Sequence, residues 1–264
     1  MAEPRPIALT VAGSDSGGGA GIQADLKTFH AFGVFGTSAL TAVTAQNTLG
    51  VTAVHPIPVG IVRAQIDAVV LDLPPAALKT GMLATAELVA TVAEAIRYHA
   101  LKRYVLDPVM VATSGDRLLD ADAEATLARE LLPLAALVTP NLHEARILTG
   151  LRVETLDDMR AAARALVERG AGAALVKGGH LEGDAVDLLW DGACERVWRK
   201  PRLDTRHTHG TGCTLSAAVA AGLANGLALA DATDRAVRWV AKAIETAPGL
   251  GSGHGPVNHF FPSG

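Results

Sequence analysis

Two glycine-dense segments carry the residues most able to do chemistry. His209-Gly210-Thr211-Gly212-Cys213-Thr214 precedes a run of small, helix-forming residues, 215–223. Its glycines let the backbone turn N–H groups toward one point, and a helix N-terminus adds unpaired donors and partial positive charge. Such a corner suits a phosphoryl group whose charge grows during transfer. A plain glycine turn entering a helix would look the same at this level. The second segment, Ser16-Gly17-Gly18-Gly19-Ala20-Gly21, lacks the G-x-G-x-x-G spacing of a dinucleotide fingerprint and the Lys-Ser/Thr ending of a P-loop. Its small residues permit close backbone approach and a flexible flap over a substrate. Phosphoryl transfer without a Walker loop is the chemistry to test.

The flanking sequence supplies the elements that must position these segments. The apolar run 7–12, closed by Gly13, predicts a buried strand, and Ile22, Leu26 and Phe29 recur at helical spacing. Strands are expected over 37–46 and over 51–59, the latter at a sheet edge because of its prolines. Helices 61–71, 86–99, 121–132 and 156–168 then alternate with strands 77–80, 104–106, 136–139 and 173–177. That is the order of βαβ crossovers in a parallel sheet. Asp191-Gly192 between 184–190 and 193–198 predicts a hairpin. The final helices fall within 227–247, with Asp231 as a candidate cap. The expectation is an α/β fold in one domain over 1–264, with a mostly parallel central sheet and helices on both faces. Ligands bind such sheets beyond the carboxyl ends of the strands. Gly13, Thr80-Gly81, Asp107, Thr139-Pro140-Asn141 and Lys177-Gly178-Gly179 all follow predicted strands, so five segments should converge on one edge.

Composition bounds the partners. Of 264 residues, 49% are hydrophobic and 19% charged, enough for a large core and too apolar for disorder. Aromatics are 4% and the net charge is −4. That leaves neither a stacking platform nor a basic field for nucleic acid, so an anionic ligand must be gripped locally. No apolar stretch approaches the ~20 residues of a membrane span, and residues 1–6 lack the regions of a signal peptide. Cys194 and Cys213 cannot build a disulfide framework and are expected as free thiols in a reducing cytoplasm. None of the nine histidines shows zinc spacing to a cysteine.

Longer motifs point to a family. Ala12-Gly13-Ser14-Asp15-Ser16-Gly17-Gly18-Gly19-Ala20-Gly21-Ile22-Gln23-Ala24-Asp25 resembles the opening of the hydroxymethylpyrimidine/phosphomethylpyrimidine kinases of thiamine biosynthesis. So do Thr44-Ala45-Gln46-Asn47-Thr48, Lys79-Thr80-Gly81-Met82, Asp107-Pro108-Val109-Met110 and Thr139-Pro140-Asn141-Leu142-His143-Glu144-Ala145. Lys177-Gly178-Gly179-His180 and Thr208-His209-Gly210-Thr211-Gly212-Cys213-Thr214 complete the set, and the likeness runs from about residue 7 to 260. The resemblance implies a ribokinase-like three-layer α/β/α fold, ATP and magnesium, a homodimer, and two successive phosphorylations. The first would act on 4-amino-5-hydroxymethyl-2-methylpyrimidine, the second on its monophosphate.

The resemblance also implies roles. Gln46 would read the pyrimidine, its amide offering a donor beside an acceptor to a ring nitrogen beside an amine. Gly13 and Ala20 would adjoin the ring, and Met82 and Val109 would wall it, though either is more often plain core. Asp25 would lie near the substrate hydroxyl; alone it would be a solvated acid early on a helix. Cys213 stands where broader ribokinase relatives carry an Asp base. A thiol at a helix N-terminus can have a lowered pKa and accept the hydroxyl proton; otherwise it is a small residue in a turn. Gly210, Thr211 and Gly212 would form the anion hole. Lys177, Asn141 and Thr211 would meet the nucleotide phosphates, and Asp107 and Glu144 the metal. Asn141 and Glu144 could instead only begin a helix. His207 replaces an expected Asn at the nucleotide edge, and the 251–259 segment is expected as a nucleotide-side loop. Pyridoxal kinase is the nearest alternative. A non-catalytic pyrimidine sensor would not need Asp107, Glu144, Lys177 and Cys213 together, and a structural scaffold would not require five loops meeting at one edge.

Overall fold

The computed structural model describes residues 5–110, 119, 121–179 and 184–263. In chain order the elements are β1 (Ile7–Asp15), α1 (Gly21–Ala31), β2 (Phe35–Asn47), β3 (Gly50–Pro56), α2 (Val59–Asp72), β4 (Ala77–Thr80), α3 (Ala86–Tyr98) and β5 (Tyr104–Leu106). They continue with α4 (Ala121–Glu130), β6 (Leu137–Val138), α5 (Leu142–Thr149), α6 (Leu156–Glu168), β7 (Ala174–Gly178), β8 (Ala185–Trp190), β9 (Glu195–Lys200), α7 (Thr211–Ala224) and α8 (Leu229–Glu245). One nine-stranded sheet runs in the order β3-β2-β1-β4-β5-β6-β7-β8-β9. The pairs β1–β2, β1–β4, β4–β5, β5–β6 and β6–β7 are parallel. The β3 edge and the β8–β9 end are antiparallel.

Side-chain alternation splits the core. Leu9, Val11, Leu78 and Leu106 face α2 to α6 on one side of the sheet. Ala8, Ala77, Val105 and Leu175 face α1, α7 and α8 on the other. Helix α7 is buried nearly all round because it is built of small residues. At Gly222 a Cβ would lie 2.8 Å from Ala232 of α8, so glycine there sets how closely the two helices approach.

Several boundaries differ from expectation. β1 continues past Gly13 to Asp15, with a register shift between Ala12 and Ser14 against β2. β3 ends at Pro56 because Pro58 already caps α2. The hairpin turn is four residues, Asp191 to Cys194, and the Asp191 carboxylate accepts the N–H groups of Ala193 and Cys194. Asp231 does not cap α8: Ala228 holds that position without a side-chain bond, and Asp231 lies 3.8 Å from Arg196 instead.

Candidate active site

The parallel strands deliver Gly13, Gln46, Thr80, Asp107, Asn141 and Lys177 to one edge, and α7 begins there. Gly210 precedes α7 with φ +79°, and a Cβ on it would fall 1.8 Å from the Gly19 carbonyl oxygen. Only glycine fits, so the two glycine segments pack directly on each other. No bond within the described residues takes up the N–H groups of Gly212 and Cys213. Thr211 departs from expectation. Its N–H and its hydroxyl both go to the Thr208 carbonyl, at 3.2 and 2.7 Å, so it offers no free donor to an anion. A Cβ on Gly212 would lie 3.2 Å from Lys177 Nζ and 4.0 Å from Asp107 Oδ2, so the corner opens toward both.

A buried ladder of charges lies behind this corner. Lys79 Nζ is 3.2 Å from both oxygens of Asp25 and 4.0 Å from Asp107. Lys177 Nζ is 3.3 Å from Asp107 Oδ1, and Ser216 donates to Asp107 Oδ2 at 3.1 Å. Burial alone would strip Lys79 of its proton, but Asp25 and Asp107 hold its pKa above the ordinary lysine range. Burial likewise opposes ionisation of Asp107; Lys177 and Lys79 outweigh it and keep the pKa low. Asp25 is neither solvated nor open to a ligand. Its side chain has no exposed surface, and Lys79 and Thr10 take its oxygens. The expected contact with a substrate hydroxyl is thus replaced by a hold on Lys79.

Asn141 and Glu144 form a capping box on α5. The Asn141 side chain accepts the Glu144 N–H at 2.9 Å, and the Glu144 carboxylate accepts the Asn141 N–H at 2.8 Å. Burial pushes the Glu144 pKa up to about 7, with Asp107 adding and Lys177 opposing. Among the described residues no group of three His, Cys, Asp or Glu could cage a metal. Asp107 and Glu144 alone, beside two lysines, fit a hydrated ion carried largely by phosphates.

Cys213 is half-buried between the starts of α1 and α7, with the Gly21 N–H toward its sulfur. The expected lowering of its pKa is not found. Burial pushes the thiol up to about 11, Lys79 opposes, and Asp107 and Asp25 add to the rise. Nearby, Gly13 lies under Met82, where a Cβ would meet Cε at 2.7 Å. Met82 and Val109 are half-buried and line the same edge. Gln46 lies 3.4 Å from His209 Nε2 and 3.1 Å from Thr44 Oγ1.

The 16–20 segment is tied down, unlike a free flap. Asp15 accepts the N–H groups of Gly17, Gly19 and Ala20 at 2.8, 3.0 and 2.8 Å. Lys27 holds the Gly18 carbonyl, and Ser16 bonds the Gln46 backbone. Burial raises the Asp15 pKa, but His209 and these amides leave it below the usual carboxylate range. The 251–259 segment touches both halves of the site. The Thr48 carbonyl accepts the His254 N–H at 2.8 Å on the Gln46 side, while Pro256 pairs with His209 and His259 reaches Thr214 at the start of α7. A Cβ on Gly255 would meet the His207 ring at 2.2 Å, so His207 belongs to this clasp, with its Nδ1 unpartnered among the described residues. His180 lies outside the described residues.

Four residues here had no role from the sequence: Lys79, Asp15, His209 and Ser216. Only Lys79 left a signal, a charge inside the short strand 77–80 at the middle of the sheet order, which demands a buried partner.

Comparisons with known proteins place the chain in a family. The family model for phosphomethylpyrimidine kinase matches residues 15–258. A hydroxymethylpyrimidine/phosphomethylpyrimidine kinase of Rhizobium meliloti is 55% identical over 260 residues, 96% of this chain and 97% of the relative. The thiamine biosynthesis bifunctional protein ThiED of Geobacter sulfurreducens is 51% identical over 98% of this chain and 53% of its own length. A solved ADP complex of Bacillus subtilis pyridoxal kinase is 40% identical and matches with a TM-score of 0.91 over 97% of this chain and 98% of that one.

Proposed function

This chain belongs to the phosphomethylpyrimidine kinase family, of ribokinase-like fold, and from that premise we propose how its site works. It is a kinase of thiamine biosynthesis that phosphorylates 4-amino-5-hydroxymethyl-2-methylpyrimidine and then the monophosphate. The observation that carries the site assignment is the pair of free amides at Gly212 and Cys213. Gly212 lies beside Lys177, and His209 links their loop to Gln46.

In this reading Gln46 grips the ring, with Met82 and Val109 as walls and Gly13 and Ala20 beneath. The hydroxymethyl oxygen attacks the γ-phosphorus of ATP, the bond from that phosphorus to the β–γ bridging oxygen breaks, and ADP leaves. The amides of Gly212 and Cys213 meet the migrating group, and Lys177 offsets its charge. The hydroxyl proton passes to the Cys213 sulfur. The thiolate is a minor species at neutral pH and a correspondingly strong base. Magnesium would sit by Glu144 and Asp107 through water and supply charge neutralisation on the phosphates.

The β2–β3 hairpin leaves Val43, Leu49 and Val54 exposed, which supports a homodimer through that arm. The free thiols of Cys194 and Cys213 support a reducing, cytoplasmic setting. Incubation with magnesium-ATP and the pyrimidine alcohol should add one phosphate and then a second by mass; binding without ADP release would reject the kinase reading. The pyridoxal kinase neighbour supports a second acceptor, so pyridoxal belongs in the same assay.

A further inference from the structure

We propose that His209, held by Asp15, fixes the direction in which Gln46 presents its amide, and that this makes the pocket select an amine beside a ring nitrogen over the reversed order. The inference rests on the pyrimidine reading above and deepens it.

The donors and acceptors around Gln46 can be assigned one at a time. Asp15 Oδ2 already accepts the N–H groups of Gly19 and Ala20. It is therefore an acceptor, and His209 Nε2, 2.9 Å away, must donate to it. That nitrogen cannot also accept from the Gln46 amide nitrogen 3.4 Å away. At the other end, the only proton of Thr44 Oγ1 goes to the Ser14 carbonyl at 2.7 Å, which leaves Thr44 as an acceptor. The Gln46 oxygen 3.1 Å from it then faces another acceptor. Turning the terminal amide by 180° removes both conflicts and moves no other group. The Gln46 N–H donates to Thr44, and its oxygen, 3.4 Å from His209 Nε2, shares as a second, longer acceptor the N–H that His209 gives to Asp15.

In this orientation one amide N–H and one oxygen lone pair remain for a ligand, in a fixed order. The N–H suits an unprotonated ring nitrogen and the oxygen suits an exocyclic amine. A ring that carries an N–H beside a carbonyl presents the reverse order and would leave both groups unpaired. Asp15 also holds the 16–20 segment, and His209 is joined to Gly210, so the same two residues tie ring selection to the phosphate corner.

The test compares kcat/KM for 4-amino-5-hydroxymethyl-2-methylpyrimidine and its 4-oxo counterpart. The enzymes are wild type, His209→Ala and Thr44→Val. The second variant leaves Asp15 and both glycine segments intact should the first fail to fold. The amino-to-oxo ratio is expected to fall about tenfold in each variant, mostly through KM for the pyrimidine. His209→Gln, which restores an N–H donor, should recover part of the ratio. A purely structural role would slow both alcohols equally, and an unchanged ratio in the variants that fold overturns the proposal. Absence of product from wild type with the amino alcohol would overturn the kinase reading itself.

Discussion

Cys213 receives conflicting influences: Lys79 and the Gly21 amide favour its thiolate, while burial, Asp107 and Asp25 disfavour it. Because the thiol is pushed up to about 11, the transfer rate should climb with pH through the alkaline range. A plateau reached below pH ~8 would show that the sulfur is not the proton acceptor. Cys213→Ala should still bind the pyrimidine by calorimetry while losing turnover, and Cys213→Asp should regain some. Lys79 permits a second test. Lys79→Met leaves Asp25 without its cation in a fully buried site, and should cost about 3–5 kcal/mol in chemical denaturation. Lys79→Met combined with Asp25→Leu should recover most of that stability, since a buried pair can often be replaced by apolar volume. Failure of the double variant to recover would mean that the cation's chief partner is Asp107.

At the scale of elements, the contact between the two glycine segments governs the phosphate corner. Gly210→Ala drives a methyl into the Gly19 carbonyl at positive φ and should abolish turnover. Gly226, past the end of α7, has φ +84°, and a Cβ there would meet nothing within 4 Å. Gly226→Ala should therefore cost only about 1 kcal/mol of strain and spare activity. Equal losses in the two variants would show that backbone strain, not the contact, is what matters. This contact also marks how far the sequence was legible. The alternation of short apolar strands with helices located nearly every element, and the glycines after strand ends located the site edge. What stayed hidden were pairings across long separations. Asp15 meets His209 194 positions later, and Lys79 meets Asp25 54 positions earlier. Local periodicity carries no information about such pairs. Nor did spacing indicate that Thr211 would commit both donors to Thr208.

Across the whole molecule, the segment after α8 fastens distant parts together. His259 Nε2 lies 3.0 Å from the Thr214 hydroxyl, one residue past Cys213. Burial, with Lys27 adding, lowers the His259 pKa to about 4. The unfolded chain takes up a proton near 6.5 and the folded one only near 4, so stability present above pH 6.5 should be lost as pH falls toward 4. Melting temperatures of wild type and His259→Gln should diverge at neutral pH and converge in acid. A constant gap would assign the effect elsewhere. The same segment closes over Thr48 with the Gly253 and His254 amides, some 205 positions downstream. During synthesis on a ribosome, the strand that bears Gln46 therefore emerges long before its clasp exists. A nascent chain whose first 248 residues have left the exit tunnel would hold every strand of the sheet with an unlatched reading arm. The dozen or so residues that leave the exit tunnel next would be the ones that ready the enzyme for its vitamin precursor.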